Sequence, residues 1–476
     1  MKGPSRLRRL LPYLAFAALA ITLAACGSAD STRYPNTTFD PKSDLGRSID
    51  DLWDILLLLG TIVFILTELA LLFVVWKYRN NKEPKHTHGN TKLEILWTLI
   101  PAFILVFIAV PTVRTIFVTQ APAPADALKI DVIGHQWWWE FKYPEYGVTT
   151  ANELYIPVGR TVSFALTTKD VLHSFWIPQL GAKRDLISNH TNYVWLTADS
   201  AIAPSVWNGF CTEYCGTSHS FMRFRVFTVT QEQFDSWIAG QKATAAFNAG
   251  PAPANPAGAA AAAAAIASNL TQVPGGVAAD SATAGGQNAP ATPATGGPVN
   301  SLPRNQPRAV SPLDTNPPAR PTGTPTGAAN VQLAGGAPGY FFPRESMPAY
   351  AVPQRAYPAK ITFTTGLTGD PARGQTAFMM GGCIGCHVVR GNPMAAGTIG
   401  PDLTHFATRH TLAGGIFPNT TDYLARWIKN ARVMKPGSIM PTLGKGEYDP
   451  VLKRTAPVSL DDQQIADIVA YLQQLR

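Results

Sequence analysis

Two long, predominantly apolar stretches, about residues 52–76 and 93–117, stand near the start of the chain. Each exceeds the roughly 20 residues that a helix needs to cross a bilayer. Pro101 and Pro111 fall inside the second stretch and are tolerable where neighbouring helices satisfy the freed carbonyls. The loop between them, residues 77–92, carries Lys77, Arg79, Lys82, Lys85 and Lys92, which places it in the cytoplasm and everything after the second span outside. From Ala127 to about Thr230 the pattern shortens to alternation: Leu128, Ile130 and Val132; Val162, Phe164 and Leu166; Tyr193 to Leu196; Met222, Phe224 and Val226. This period of two predicts strands of a small β-sandwich or barrel. Near the C-terminus, helical patterns open at Asp370-Pro371, cover about Thr421 to Asn430, and run from Leu460 to Leu475 with acidic residues at their start.

Between these modules the pattern disappears. Gln241 to about Tyr340 is almost entirely Ala, Pro, Gly, Thr, Asn and Ser, with six charged residues, and cannot bury enough apolar surface to offset its chain entropy. As a coil of about 100 residues it would span on the order of 55 Å, a tether between two working modules.

Composition adds little beyond this. Over 476 residues, 46% are hydrophobic and only 15% charged, with 40 Pro and 39 Gly, as membrane spans joined to an unstructured spacer require. The net charge of +8 is spread out, with no Lys/Arg block of the kind that binds nucleic acid. Lys2, Arg6, Arg8 and Arg9 precede an apolar run from Leu10 to Leu23, a secretory signal pattern. It ends in Leu23-Ala24-Ala25-Cys26 and resembles a bacterial lipoprotein signal, which would make Cys26 a lipid-bearing N-terminus; the plain alternative is an ordinary signal with an incidental Cys.

The chemistry is concentrated in two places. Between Cys211 and Met222 lie two thiols, an imidazole and a thioether: Cys211, Cys215, His219 and Met222. His173, in Asp170-Val-Leu-His173-Ser, supplies a second imidazole. Soft donors of this kind select copper, zinc or iron-sulfur, and the thioether favours copper; two copper ions bridged by two thiolates would use the whole set. Glu213 is a poor match for thiolate-bound copper, so its backbone carbonyl is the better contact, the side chain serving a hard cation, a partner or solvent. Downstream, Cys383-Ile-Gly-Cys386-His387 has the spacing for covalent haem c attachment, His387 being the proximal ligand. Met440, in the irregular segment Lys435-Pro436-Gly437-Ser438-Ile439-Met440, is the candidate sixth ligand, with Met434 the alternative. A carbonyl from Gly400-Pro401 could fix the His387 tautomer. Trp137, Trp138 and Trp139 follow one another and suit either a core or a docking face. Glu68 and Glu94 are ionisable groups in or beside the apolar spans; Glu68 suits helix packing or a functional role, and Glu94 an interfacial solvated site or a functional one.

These motifs together resemble subunit II of a haem-copper cytochrome c oxidase of the bacterial variety with a C-terminally fused cytochrome c domain. The resemblance rests on Lys92-Leu-Glu94-Ile-Leu-Trp97-Thr98-Leu-Ile-Pro101, Gly134-His135-Gln136-Trp137-Trp138-Trp139, Asp170 to Ser174, the Cys211–Met222 loop, and Cys383 to His387 with Gly400-Pro401. It implies a multidomain membrane protein: signal peptide 1–25, outer segment 26–47, two-helix transmembrane hairpin 48–120, all-β cupredoxin-like sandwich 121–240, disordered linker 241–365, and all-α cytochrome c domain 366–476. It further implies a dinuclear CuA centre on His173, Cys211, Glu213 (through its carbonyl), Cys215, His219 and Met222. The Glu213 side chain would help hold magnesium against subunit I. Trp137 would receive electrons for the copper pair, and Glu94 would mark the mouth of a proton pathway. Electrons would pass from haem c to CuA and on to subunit I for oxygen reduction with proton pumping. Implied partners are subunits I and III and an upstream donor, a quinol-cytochrome c reductase or small carrier, all at the plasma membrane with both cofactor domains on its outer face. A quinol-oxidizing relative would lack the copper donors, which are all present here; a copper-bearing subunit of a nitric oxide reductase stays open as an alternative, with Glu94 favouring a proton-pumping oxidase, and a membrane-anchored copper chaperone leaves His219, Met222 and the haem motif unexplained.

Overall fold

A computed structural model describes residues 34–83, 88–181, 183–245, 330–332 and 338–476. Cys26 with the signal pattern, residues 84–87 of the basic loop, and most of the Ala/Pro/Gly-rich stretch lie outside the described residues. Helix α1 (Asp44–Tyr78) and helix α2 (Thr91–Gln120) form an antiparallel pair, both long and apolar enough to cross a membrane. Ser43 caps α1 by accepting from Gly46 N, and Asn90 caps α2 by accepting from Lys92 N and Leu93 N, each cap contributing about 1 kcal/mol. Pro101 and Pro111 sit within α2, which continues through both.

The alternating segments build two packed five-stranded sheets. The first has the order β3 (Val148–Ala151), β2 (Trp138–Tyr143), β1 (Leu128–His135), β5 (Thr161–Thr168), β8 (Asn192–Thr197). The second runs β4 (Glu153–Pro157), β10 (Arg223–Val229), β9 (Ser205–Cys211), β6 (His173–Trp176), β7 (Lys183–Leu186). Leu128, Ile130, Val132, Val162, Phe164, Leu166, Phe224 and Val226 all point inward and are fully buried, as a period of two demands. Phe175 lies at the centre, stacked on Phe224 at 5.0 Å and edge-on to Trp139 at 5.8 Å. Helix α3 (Gln231–Lys242), opened by a Thr230–Gln233 capping box, closes one end by packing Phe234 and Trp237 on Tyr143.

The hairpin is joined to this sandwich without slack. Ser43 Oγ donates to Leu180 O at 2.7 Å, Asp44 Oδ1 accepts from Thr197 N at 2.7 Å, and Arg47 pairs with Asp199 at 2.7 Å. Gly181, at φ 72°, comes so close that a Cβ there would lie 2.7 Å from the Gly46 Cα.

Both ends of the span 241–365, assigned to the linker by composition, are structured. Gln241 and Lys242 complete α3. At the other end β12 (Pro338–Tyr340), paired with β11 (Asn330–Gln332), leads into Tyr340, Phe341, Phe342 and Ala351, all buried against the sandwich. Phe342 lies 5.3 Å from Phe227. Aromatic burial of this size holds the segment down, and averaging over a hundred residues concealed it. Ile361 already belongs to the next core.

The C-terminal module packs α4 (Pro371–Met380), α5 (Thr421–Lys429), the single turn α6 (Ala431–Met434) and α7 (Asp462–Leu472) around Phe378, Phe417, Met434, Ile468 and Tyr471. Asp370, Thr420 and Asp461 cap its three longer helices. The buried Asp467 on α7 holds α4 by accepting from Asp370 N at 2.7 Å and from Arg373 at 2.9 Å.

Candidate functional site

The loop between β9 and β10 carries most of the soft donors, and the sheet pins both its ends. Phe210 and Arg223 pair across the strands, and Cys211 N donates to Met222 O at 3.1 Å. His173 arrives from β6, the neighbour of β9. The Cys211 and Cys215 sulfurs lie 3.7 Å apart, His173 Nδ1 is 3.8 Å from Cys211 Sγ, and His219 Nδ1 is 3.6 Å from Cys215 Sγ. Met222 Sδ is 3.9 Å from Cys215 Sγ, and the Glu213 carbonyl is 3.3 Å from Cys211 Sγ. Six donors from five side chains and one carbonyl thus converge in a pocket where His173, Cys211, Cys215 and Met222 are buried. His173, Cys211 and Cys215 alone present atoms all within 4.8 Å of one another.

The electrostatics of this cluster favour a soft cation. The contact between the two sulfurs holds the Cys211 thiol well below the usual range and pushes the Cys215 thiol up, because two bare thiolates cannot share that distance. Bridging cations would let both ionise, which fits the copper expectation. Asp170 completes the arrangement: His173 Nε2 donates to its Oδ1 at 2.8 Å, which fixes the tautomer with the Nδ1 lone pair facing the sulfurs. The motif containing Asp170 is visible in the sequence, but this role is not; a carboxylate three residues before a ligating His was the available signal.

The Trp triplet divides. Trp139 is fully buried in the sandwich core, and Trp138 stacks on His135 at 4.2 Å. Trp137 lies against the copper loop, its Nε1 donating to Cys215 O at 2.9 Å beside Gln136 Nε2, which donates to the same carbonyl at 2.8 Å.

The haem motif lines a largely apolar cavity that is open to solvent. Cys383, Cys386 and His387 stand on one wall, Met440 on the lining as well, and Trp427, Leu424 and Phe406 add apolar surface. His387 Nδ1 donates to Pro401 O at 2.8 Å, leaving Nε2 as the free lone pair. Met434 is absent from that lining and fully buried in the helical core. Two thiols, an imidazole with a fixed tautomer and a thioether around an apolar cavity fit haem c. Gln136, Trp137 and Trp138 line this same cavity, so the two sites share one wall.

That shared wall exists because the helical module sits on the sandwich. Glu153 of β4, buried, accepts from His410 N at 2.7 Å, Thr411 N at 3.0 Å and His410 Nδ1 at 3.1 Å. Burial pushes its carboxyl up, but His410 and these N–H donors outweigh this and hold it below the ordinary range. His410 Nε2 donates to Phe342 O at 2.8 Å, and Arg225 donates to Ala351 O at 2.7 Å and Gly415 O at 3.2 Å. Arg223 N donates to Gly414 O at 2.9 Å. Lys435, buried, donates from Nζ to Trp137 O at 2.5 Å and Ala413 O at 2.9 Å; burial draws its amine down to about 7. Sequence reading missed Gln136, Glu153, His410 and Lys435, whose partners are remote along the chain.

Away from this region, Glu94 is exposed in the first turn of α2 and Glu68 is exposed on α1. Neither approaches the soft-donor cluster. The Glu213 side chain is half-buried beside the exposed Tyr214.

Comparison with known proteins assigns the three regions to known families. Family models for the transmembrane domain and the periplasmic domain of cytochrome c oxidase subunit II match residues 38–115 and 147–229, and one for cytochrome c matches residues 371–476. The chain is 37% identical over 240 residues to a cytochrome c oxidase subunit 2 of Alkalihalophilus pseudofirmus, covering 48% of this chain and 68% of that one. A probable cytochrome c oxidase subunit 2 of Rickettsia bellii is 33% identical over 229 residues, 43% of this chain and 84% of the relative. A quinol oxidase subunit 2 of Bacillus spizizenii is 33% identical over 244 residues, 48% of this chain and 73% of the relative. With two membrane-length helices, a sandwich bearing the copper donors and a helical module bearing the haem motif, the chain belongs to the cytochrome c oxidase subunit II family and carries a cytochrome c domain.

Proposed function

We propose that this chain receives electrons at its cytochrome module and delivers them, by way of the copper loop, to a haem-copper subunit I that reduces oxygen to water and pumps protons. When bound, haem c and a dinuclear copper pair supply the one-electron chemistry. His173, Cys211, Cys215, His219, Met222 and the Glu213 carbonyl would hold the copper; Cys383 and Cys386 would bind the haem covalently, and His387 and Met440 would serve as its iron ligands. The observation that carries this reading is the common wall: Trp137 bonds the carbonyl of the copper donor Cys215 and lines the haem cavity. Buried Trp139 and Phe175 stiffen the strands from which the donors come, limiting rearrangement when charge arrives and leaves.

The same reading assigns the Glu213 side chain to a magnesium ion at the subunit I interface and Glu94 to the mouth of a proton pathway. It puts subunit III in the assembly and a quinol-cytochrome c reductase or small carrier upstream. Cys26 carries lipid, and both cofactor modules face outward from the plasma membrane. The full donor set supports a cytochrome-linked rather than quinol-linked oxidase. The test is spectroscopy on the full chain: a near-infrared copper band with the multi-line signature of a mixed-valence pair, plus a c-type haem peak, with the copper becoming reduced after the haem. Fewer than two coppers, or copper that stays oxidized beside reduced haem, refutes the proposal.

A further inference from the structure

We infer that Lys435, Pro436 and Gly437, on the loop that leads to Met440, are positioning residues that seat the cytochrome module on the copper loop through Trp137 and Ser218. Four observations converge on this segment. Lys435 Nζ reaches the Trp137 carbonyl, whose own indole holds Cys215 O. Ser218 Oγ, from the copper loop next to His219, donates to Pro436 O. Gly437, at φ 84°, faces the Trp137 ring so closely that a Cβ there would lie 2.7 Å from two ring carbons. Behind the segment, Arg432 Nε donates to Ser438 O at 3.2 Å and its guanidinium pairs with the buried Asp449 at 2.8 Å, so the loop is braced from the cytochrome side.

A lysine ammonium is costly to bury, and one that spends its protons on two backbone carbonyls is being used for geometry. Here those carbonyls belong to different modules, Trp137 to the sandwich and Ala413 to the cytochrome. The loop that carries the proposed iron ligand and the loop that carries five of the six proposed copper donors are therefore held by one set of hydrogen bonds around a single residue, Trp137. Removing the lysine leaves Trp137 O and Ala413 O without that donor and lets the two loops drift, and small misplacement of reacting groups costs up to about 100-fold in rate.

The inference rests on the relay reading and is tested apart from it. In the full chain, Lys435→Met is compared with the parent by hydrogen exchange at the Arg223 amide, which reports seating whatever the cofactors do. The rate of haem-to-copper electron transfer after rapid reduction of the haem is measured beside it. The expected result is faster Arg223 exchange and transfer slowed on the order of tenfold or more, with haem and copper bands unchanged, and partial recovery of both in Lys435→Arg. Unchanged exchange with unchanged transfer overturns the inference. Should Lys435→Met disturb the haem band, Ser218→Ala on the copper side decides by the same two readouts. A parent chain in which the electron never leaves the haem refutes the relay, while the Arg223 exchange still decides the seating.

Discussion

Replacing Glu153 with alanine should release the cytochrome module from the sandwich. Glu153 is 5% exposed, and its carboxylate accepts from two backbone amides and an imidazole of the other module. Loss of one partner from a buried charged pair costs about 3–5 kcal/mol, because the group left behind stays desolvated and unpaired. Two stranded N–H groups add to this unless the module moves away to water. Set against docking alone, that range lowers the seated population ratio by roughly 10² to 4 × 10³. The amides of His410 and Thr411 bond Glu153 directly, so they are poor reporters of docking in this variant. The Arg223 amide, which donates to Gly414 O without touching Glu153, is the better one, and its exchange should accelerate by a comparable factor. Unchanged Arg223 exchange in a folded Glu153→Ala chain would refute the argument. The pH dependence has a definite sign. Because Glu153 is held below its ordinary value of 4.5, its contribution is complete above that value and disappears as pH falls through the lower docked value. Acid should therefore unseat the parent module, and in Glu153→Ala this component of the acid response should be missing.

Three further outcomes follow from the two sites. Cys215→Ser should abolish the near-infrared copper band while leaving the c-type haem peak, since Cys215 faces Cys211, His219 and Met222 but no haem-cavity residue depends on its thiol; a surviving band would remove Cys215 from the copper site. Met440→Leu should convert the haem to a five-coordinate spectrum with the copper band intact, whereas Met434→Leu, in the packed core, should alter thermal stability and not the haem spectrum. Asp170→Asn should weaken copper retention about 10- to 100-fold in a chelator competition, through loss of the His173 tautomer and orientation; equal retention would show that Asp170 does not serve His173.

What local pattern could reveal and what it could not divide along physical lines. Leu128, Ile130 and Val132 announce a strand because each second side chain must enter the core, and α2 announces itself by length and hydropathy. The four soft donors from Cys211 to Met222 are legible because a single loop carries them. The aromatic end of the supposed linker escaped because Tyr340 to Phe342 are three residues beside a hundred featureless ones. Glu153 and His410 lie 257 positions apart, and no periodicity reports a bond of that reach. Lys435 stands in the sequence only as the start of the irregular segment before Met440; the docked arrangement shows it buried, with both acceptors supplied by backbone. Trp137 and Trp139 are alike as letters, yet Trp139 enters β2 and the core whereas Trp137 precedes the strand and faces outward to the other module.

The joint between α1 and the sandwich has a consequence for how the molecule stands. With Gly46 against Gly181, Ser43 bonded to Leu180, Asp44 to Thr197 and Arg47 to Asp199, the helix enters the β-structure as a post enters a bracket. Tilt and height of the soft-donor loop above the lipid are then inherited from the hairpin, and any lean of α1 would be carried outward, as by a rigid lever, to that loop.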